Sequence, residues 1–236
     1  MNPIRKNIPN AITCINIACG FLSILCSIKG SDSLWGLRGF EWGYIFIGIA
    51  AVADFLDGFM ARLLKAYSDM GKELDSLCDM VSFGVAPAVA LYICLSETGA
   101  PEWCRWLAVA IPVAGALRLA KFNIDTRQSE NFIGLPIPAN AIFWIGFTAM
   151  AWQNSSPVLS PVWLTALILV ESWLMVSEFP MFSLKFKTWG FKENIFRWLL
   201  IATAVVLIFC MGLPGLMWLI IIYIFYGICD RPTFRK

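Results

Sequence analysis

Histidine is absent from the 236 residues, and charge is scarce, with Asp, Glu, Lys and Arg making up 14% of the chain. The first absence excludes Ser-His-Asp and Cys-His catalytic pairs, the HExxH zinc site and a haem held by a proximal histidine. Any proton transfer therefore falls to a carboxylate, Lys, Tyr or Cys. The second absence excludes a soluble fold. Soluble domains carry roughly 25% charged residues, and a chain that is 59% hydrophobic with a mean hydropathy of +0.72 has too little polar surface to cover itself. Paired cysteines are missing as well. Cys14, Cys19, Cys26, Cys78, Cys94, Cys104, Cys210 and Cys229 stand in apolar runs with no C-x-x-C among them, and they read as small hydrophobes rather than zinc ligands or a disulfide framework.

What the chain has instead is long apolar runs. Stretches of about 18–25 apolar residues predict membrane-spanning helices, and eight are present, at roughly 8–28, 42–63, 79–96, 104–122, 135–152, 159–178, 195–212 and 214–229. The first is too long, and lacks the small-residue pattern, for a cleaved signal peptide. The last two are separated only by Gly212-Leu213-Pro214, which predicts a helical hairpin, with one broken segment as the alternative. Basic residues are biased to one side: only Lys29, Arg38 and Arg105, of 18 Lys and Arg, fall on the other. That bias places both termini in the cytoplasm. Residues 180–192 interleave aromatic and basic side chains, as suits the headgroup layer, a solvated loop or an extended segment. With no internal repeat and no low-complexity linker, the chain reads as one integral membrane domain, and nothing in it marks a nucleic-acid partner.

Carboxylates inside spans are costly unless paired, hydrated or metal-bound, so they mark function by default. Here Asp54 and Asp57 close the second span, and Asp75 and Asp79 open the third. On a helix the first pair lies about 60° apart and the second about 40° apart around the axis. Each helix therefore offers two acids on one face. Brought together they repel one another without a cation, and an all-oxygen set favours Mg²⁺ or Mn²⁺, with Ca²⁺ possible, over softer metals. Gly58, Ala61 and Gly71 leave a small surface beside them, and Arg62 suits a phosphate. Asp69 and Glu73, between the pairs, read as solvated. Thr13 and Asn16, at i and i+3 of the first span, line a cavity or bond a neighbouring helix.

These residues fit D-x2-D-G-x2-A-R-x8-G-x3-D-x3-D at every fixed position, from Asp54 to Asp79. The pattern resembles the signature of the CDP-alcohol phosphatidyltransferases. Within that family the flanks are similar to the integral-membrane phosphatidylserine synthases: Ile8-Pro9-Asn10 through Thr13 to Asn16, Ser82-Phe83-Gly84 through Ala86-Pro87-Ala88, and Arg118-Leu-Ala-Lys121-Phe122-Asn123 followed by Gly134-Leu-Pro136-Ile-Pro138-Ala139. Lys121 stands where that branch usually has Arg, and Cys78 where Ala is common.

The resemblance implies an all-α integral membrane fold with a six-helix core, placed over 1–178; the apolar runs add a cytoplasmic or interfacial linker over 179–194 and a C-terminal transmembrane hairpin with a short basic tail over 195–236, about eight transmembrane helices in all. It implies a homodimer in a bacterial-type inner membrane with a cytoplasm-facing site. The implied reaction moves the phosphatidyl group of CDP-diacylglycerol to L-serine. Asp54, Asp57, Asp75 and Asp79 then hold a divalent cation, Mg²⁺ or Mn²⁺, and Asp79 is also the expected base. Gly58, Ala61, Arg62 and Gly71, with Thr13 and Asn16, are expected against the CDP-lipid. Arg118, Lys121, Asn123 and Ser82 are weaker expectations for serine, the first two serving equally as ordinary cytoplasmic charge. Other acceptors, glycerol 3-phosphate or an inositol phosphate, keep the same chemistry. A cation transporter is the alternative from another class, although its acids would sit at mid-membrane.

Overall fold

The computed structural model describes residues 3–125, 132–154, 160–181 and 194–230. Arg127, most of the 180–192 segment and the tail from Arg231 to Lys236 lie outside them. A bilayer offers no partner to a backbone N–H or C=O, so apolar runs must close their hydrogen bonds within the segment. The described residues are accordingly mostly helical, with two short two-stranded sheets. Four helical stretches are long and apolar enough to cross a membrane: Asn7–Ser27, Gly39–Leu64, Asp69–Glu97 and Glu102–Ile124. The protein is integral to the membrane. It divides into two compact units, Met1–Pro112 and Val113–Lys236.

In the first unit α1 (Pro3–Ser27) leads through a tight hairpin, β1 (Ser33–Leu34) and β2 (Leu37–Arg38), into α2 (Gly39–Leu64). Small residues let the two helices approach. A methyl group on Gly39 would stand 2.5 Å from the Cys26 carbonyl oxygen, one on Gly43 would collide with the Ser27 hydroxyl, and Ser23 donates to the Gly43 carbonyl at 2.9 Å. Close backbone contact of this kind substitutes for the hydrophobic effect, which is weak between helices in lipid. The buried stripe of α2 runs Gly39, Gly43, Ile47, Ala50, Ala53 and Asp57. Its helical spacing carries the last member, a carboxylate, onto the face that meets α1.

A short joint then reverses the chain. Lys65 adopts a left-handed conformation (φ 51°), and the Ala66 N–H donates to the Ala61 carbonyl at 2.9 Å, closing α2 in a Schellman turn. Ser68 caps α3 (Asp69–Asp79) by accepting the Gly71 N–H at 3.0 Å. The third span thus begins ten residues before the apolar run that predicts it. Its first turns are polar, and hydropathy does not register a helix held by its cap. After Asp79 the helix widens into a π-helical turn, Met80–Val85, and continues as α4 (Ala86–Glu97). Pro87 has no N–H and its ring crowds the carbonyl a turn earlier, and the wide turn accommodates both. On α1, Gly20 faces this turn: a methyl there would lie 2.8 Å from Ser82 Cα. Then come α5 (Glu102–Trp106), a short 3₁₀ turn and α6 (Ala110–Ile124), within which the division between units falls.

The second unit holds β3 (Phe132–Ile133), α7 (Ile137–Asn154), α8 (Pro161–Val176), β4 (Pro180–Met181), α9 (Ile195–Met211) and α10 (Gly215–Asp230). The strands β3 and β4 pair antiparallel, Phe132 opposite Met181. Gly134, at φ 77°, lies so close to the end of α8 that a methyl would stand 2.6 Å from the Met175 carbonyl oxygen. The core of this unit is aromatic: Phe143, Trp144 and Phe147 of α7 are fully buried, with edge-to-face rings 5.1 and 5.5 Å apart. The turn at Gly212 (φ 65°) makes α9 and α10 a hairpin rather than one broken segment. That hairpin packs on α7, where a methyl on Gly146 would stand 3.0 Å from the Leu216 carbonyl carbon.

Candidate active site

The signature residues converge inside the first unit. One carboxylate oxygen each from Asp54, Asp57 and Asp75 lie within 4.8 Å of one another. Asp54 lies next to both Asp75 and Asp79. The joint from Lys65 to Ser68 explains the meeting: α2 ends two turns past Asp57, and α3 starts less than two turns before Asp75, so both pairs face each other at one end of the helices. Asp57 and Asp79 are buried, while Asp54 and Asp75 are half-buried.

Helix α1 supplies the polar partners. The Thr13 hydroxyl donates to Asp57 Oδ2 at 2.6 Å, with the Pro9 carbonyl at 3.0 Å as a second acceptor. Asn16 donates through Nδ2 to Asp79 Oδ1 at 3.2 Å. Ser82 is fully buried, and its hydroxyl donates to the Asn16 carbonyl at 3.0 Å. Thr13 and Asn16 therefore reach the acids directly.

Beside the acids opens a cavity of about 270 Å³. Asp57, Asp75, Thr13, Gly58, Ala61, Arg62 and Gly71 are on its wall. Gly58 looks into open space, whereas a methyl on Gly71 would lie 3.0 Å from both Asn10 Oδ1 and Ser68 Oγ. The first glycine keeps the cavity wide, and the second lets α3 approach α1. The wall also holds Pro9, Asn10, Ala66, Tyr67, Ser68 and Lys72, which the motif does not single out. A signal for them exists: four fall within the eight unspecified residues between Arg62 and Gly71 or next to Gly71, and two precede Thr13 by one turn. Asp69 and Glu73 are exposed.

The donor set fits a hard divalent cation. Three carboxylates meet with no Lys or Arg bonded to them among the described contacts, and Asp75 Oδ1 is buried with no hydrogen-bond partner. Such an arrangement is self-repelling unless a cation enters it. Asp54, Asp57 and Asp75 are the residues that would hold it, with Asp79 adjoining through Asp54.

The remaining expected residues belong to the second unit. Arg118 is buried, with its guanidinium 5.2 Å over the Phe122 ring. Lys121 lies 3.5 Å from Glu178 and 3.4 Å from the Val176 carbonyl, which it ties to the end of α6. Asn123 is half-buried.

Comparison with known proteins points to one family. The family model for CDP-alcohol phosphatidyltransferases, a divalent-cation-dependent family, matches residues 6–184. A protein of Mycobacterium leprae named CDP-diacylglycerol–serine O-phosphatidyltransferase is 36% identical over 182 residues, covering 74% of this chain and 57% of its own length. The chain thus spans less than three-fifths of that relative. Proteins of the same name are 37% identical over 177 residues in Bacillus subtilis, covering 74% of this chain and 90% of theirs, and 30% identical over 236 residues in Helicobacter pylori, covering 97% and 92%. The last of these matches extends through the α9–α10 hairpin.

Proposed function

The chain belongs to the CDP-alcohol phosphatidyltransferase family, and from that premise we propose that it transfers the phosphatidyl group of CDP-diacylglycerol to the hydroxyl of L-serine, releasing CMP. The observation that carries the chemistry is the meeting of Asp54, Asp57 and Asp75 within 4.8 Å, beside a cavity bordered by Arg62 and Lys72. Support for serine as the acceptor comes from the names borne by the mycobacterial, Bacillus and Helicobacter relatives.

A bound Mg²⁺ or Mn²⁺ supplies charge neutralisation to the phosphate oxygens. The chain's own residues do the rest. Arg62 meets the pyrophosphate from the cavity rim, and Gly58 leaves room for it. Asp79 accepts the proton of the serine hydroxyl, in a chain with no histidine to do so. The serine oxygen forms a bond to the phosphorus that carries diacylglycerol. The bond from that phosphorus to the bridging oxygen breaks, and CMP leaves with its electrons. Transfer is direct, without a phosphatidyl-enzyme. The site faces the cytoplasm, following the bias of the basic residues, and the protein works as a homodimer.

The deciding experiment supplies purified protein with CDP-diacylglycerol, Mg²⁺ or Mn²⁺, and L-serine, glycerol 3-phosphate or an inositol phosphate in turn. CMP release that depends on serine is the expected result. Release with another acceptor and none with serine overturns the proposal. Exchange of labelled CMP into CDP-diacylglycerol without any acceptor would overturn direct transfer.

A further inference from the structure

We infer that Asn16 is a positioning residue for Asp79, held in register by the Ser82 hydroxyl, and that α1 thereby sets the angle at which the carboxylate meets the incoming alcohol. The inference rests on the reading of Asp79 as the base. It starts from an amide that is fully buried yet satisfied at one end only: Asn16 Nδ2 donates to Asp79 Oδ1 at 3.2 Å, while Asn16 Oδ1 has no hydrogen-bond partner. An asparagine that merely ties two helices together satisfies both ends of its amide, because an unpaired polar atom in an apolar interior is costly. The reverse orientation would set the amide oxygen against a carboxylate oxygen, so the acid fixes which way the amide points.

The backbone at Asn16 is fixed as well. Its carbonyl accepts the Ser82 hydroxyl at 3.0 Å, and Ser82 lies in the π-helical turn that begins just after Asp79. Gly20, one turn further along α1, has no side chain to hold that turn away. Two hydrogen bonds in opposite directions therefore join Asn16 to the segment that carries Asp79, one by side chain and one by backbone. Asn16 is absent from the cavity wall, while Thr13, one turn earlier on the same helix, is on it. The two polar residues of α1 divide their work: Thr13 faces the space for the CDP-lipid, and Asn16 acts through Asp79.

Steady-state kinetics on the full chain in detergent test this, with the acceptor that supports CMP release in the wild type. Wild-type release with serine reads the function by itself, so a failure there is distinct from a failure of the variants. Asn16→Leu keeps the branched outline of the side chain and removes the donor. Its turnover is expected to fall on the order of tenfold to a hundredfold, since small misplacements of a reacting group carry losses of that size. Its KM for CDP-diacylglycerol and its Mn²⁺ binding by electron paramagnetic resonance stay within about twofold, because Asn16 is absent from the cavity wall and bonds Asp79 rather than Asp54, Asp57 or Asp75. Asn16→Ser keeps a hydroxyl donor and recovers part of the turnover. Wild-type turnover in Asn16→Leu overturns the inference, and so does a KM for CDP-diacylglycerol that rises by the factor by which turnover falls. Should the leucine variant not survive extraction, Ser82→Ala carries the same test: a drop in turnover at unchanged KM supports the inference, and unchanged turnover overturns it.

Discussion

Helices α2 and α8 each bury a carboxylate in an apolar stripe, and only the acid on α2 takes part in a cluster. Asp57 on α2 and Glu171 on α8 are 6% and 3% exposed, each flanked by aliphatic neighbours. Asp57 accepts the Thr13 hydroxyl and meets Asp54 and Asp75. Glu171 Oε2 has no hydrogen-bond partner, and no cluster of acids forms around it among the described residues. The difference teaches that a buried acid in a membrane helix is a weak sign of chemistry by itself. Company of its own kind, assembled from two helices and braced by a third, is the stronger one.

The sharpest way to break this contrast is at the cluster. Asp75→Asn removes one of three meeting carboxylates, and CMP release is expected to fall by on the order of a thousandfold or more, as when a metal clamp on a transferring phosphate is lost. Chelation by EDTA should abolish release in the wild type, and Mn²⁺ or Mg²⁺ should restore it. Next in size is Thr13→Val, which deletes the hydroxyl on Asp57 while preserving shape. A hydrogen bond to a charged group contributes about 1.5–3 kcal/mol, so release measured at saturating substrate should drop by roughly ten- to a hundredfold. Gly20→Leu forces α1 away from the turn at Ser82 and should lower the thermal midpoint in detergent, overpacking of this kind costing about 1–3 kcal/mol. Smallest of all, Glu171→Gln should leave CMP release within about twofold, since neutralising a lone acid outside the cluster removes no partner. A large loss of release in that variant would erase the contrast from the other side.

Much of this site is legible in the order of residues alone. Four Asp at the ends of two apolar spans stand out because charge in a span is expensive, and i,i+3 and i,i+4 spacing already pairs them. Thr13 and Asn16 stand out for the same reason. Which acid each one bonds is not legible, because it depends on how α1 is rotated against α2, and that rotation follows from Gly39, Gly43 and Ser23 at the other end of the helices. The start of α3 is hidden from hydropathy by its polar turns from Asp69 to Asp79. The π-helical turn has no residue signature beyond Pro87, whose effect falls upstream of it. Tyr67, Ser68 and Lys72 escape notice because a pattern that leaves eight positions unspecified directs attention past them, although the chain cannot reverse direction without bringing some of them to the cavity.

The joint at Lys65 to Ser68 gives that unspecified interval a meaning of its own. A left-handed residue and a serine cap leave the reversal no slack, so the interval acts as a gauge that sets how far the two acid-bearing helices stand apart. Its length is as much a part of the site as the acids on either side. A chain lengthened there by one residue would keep every acid and every helix and still present its oxygens at the wrong separation.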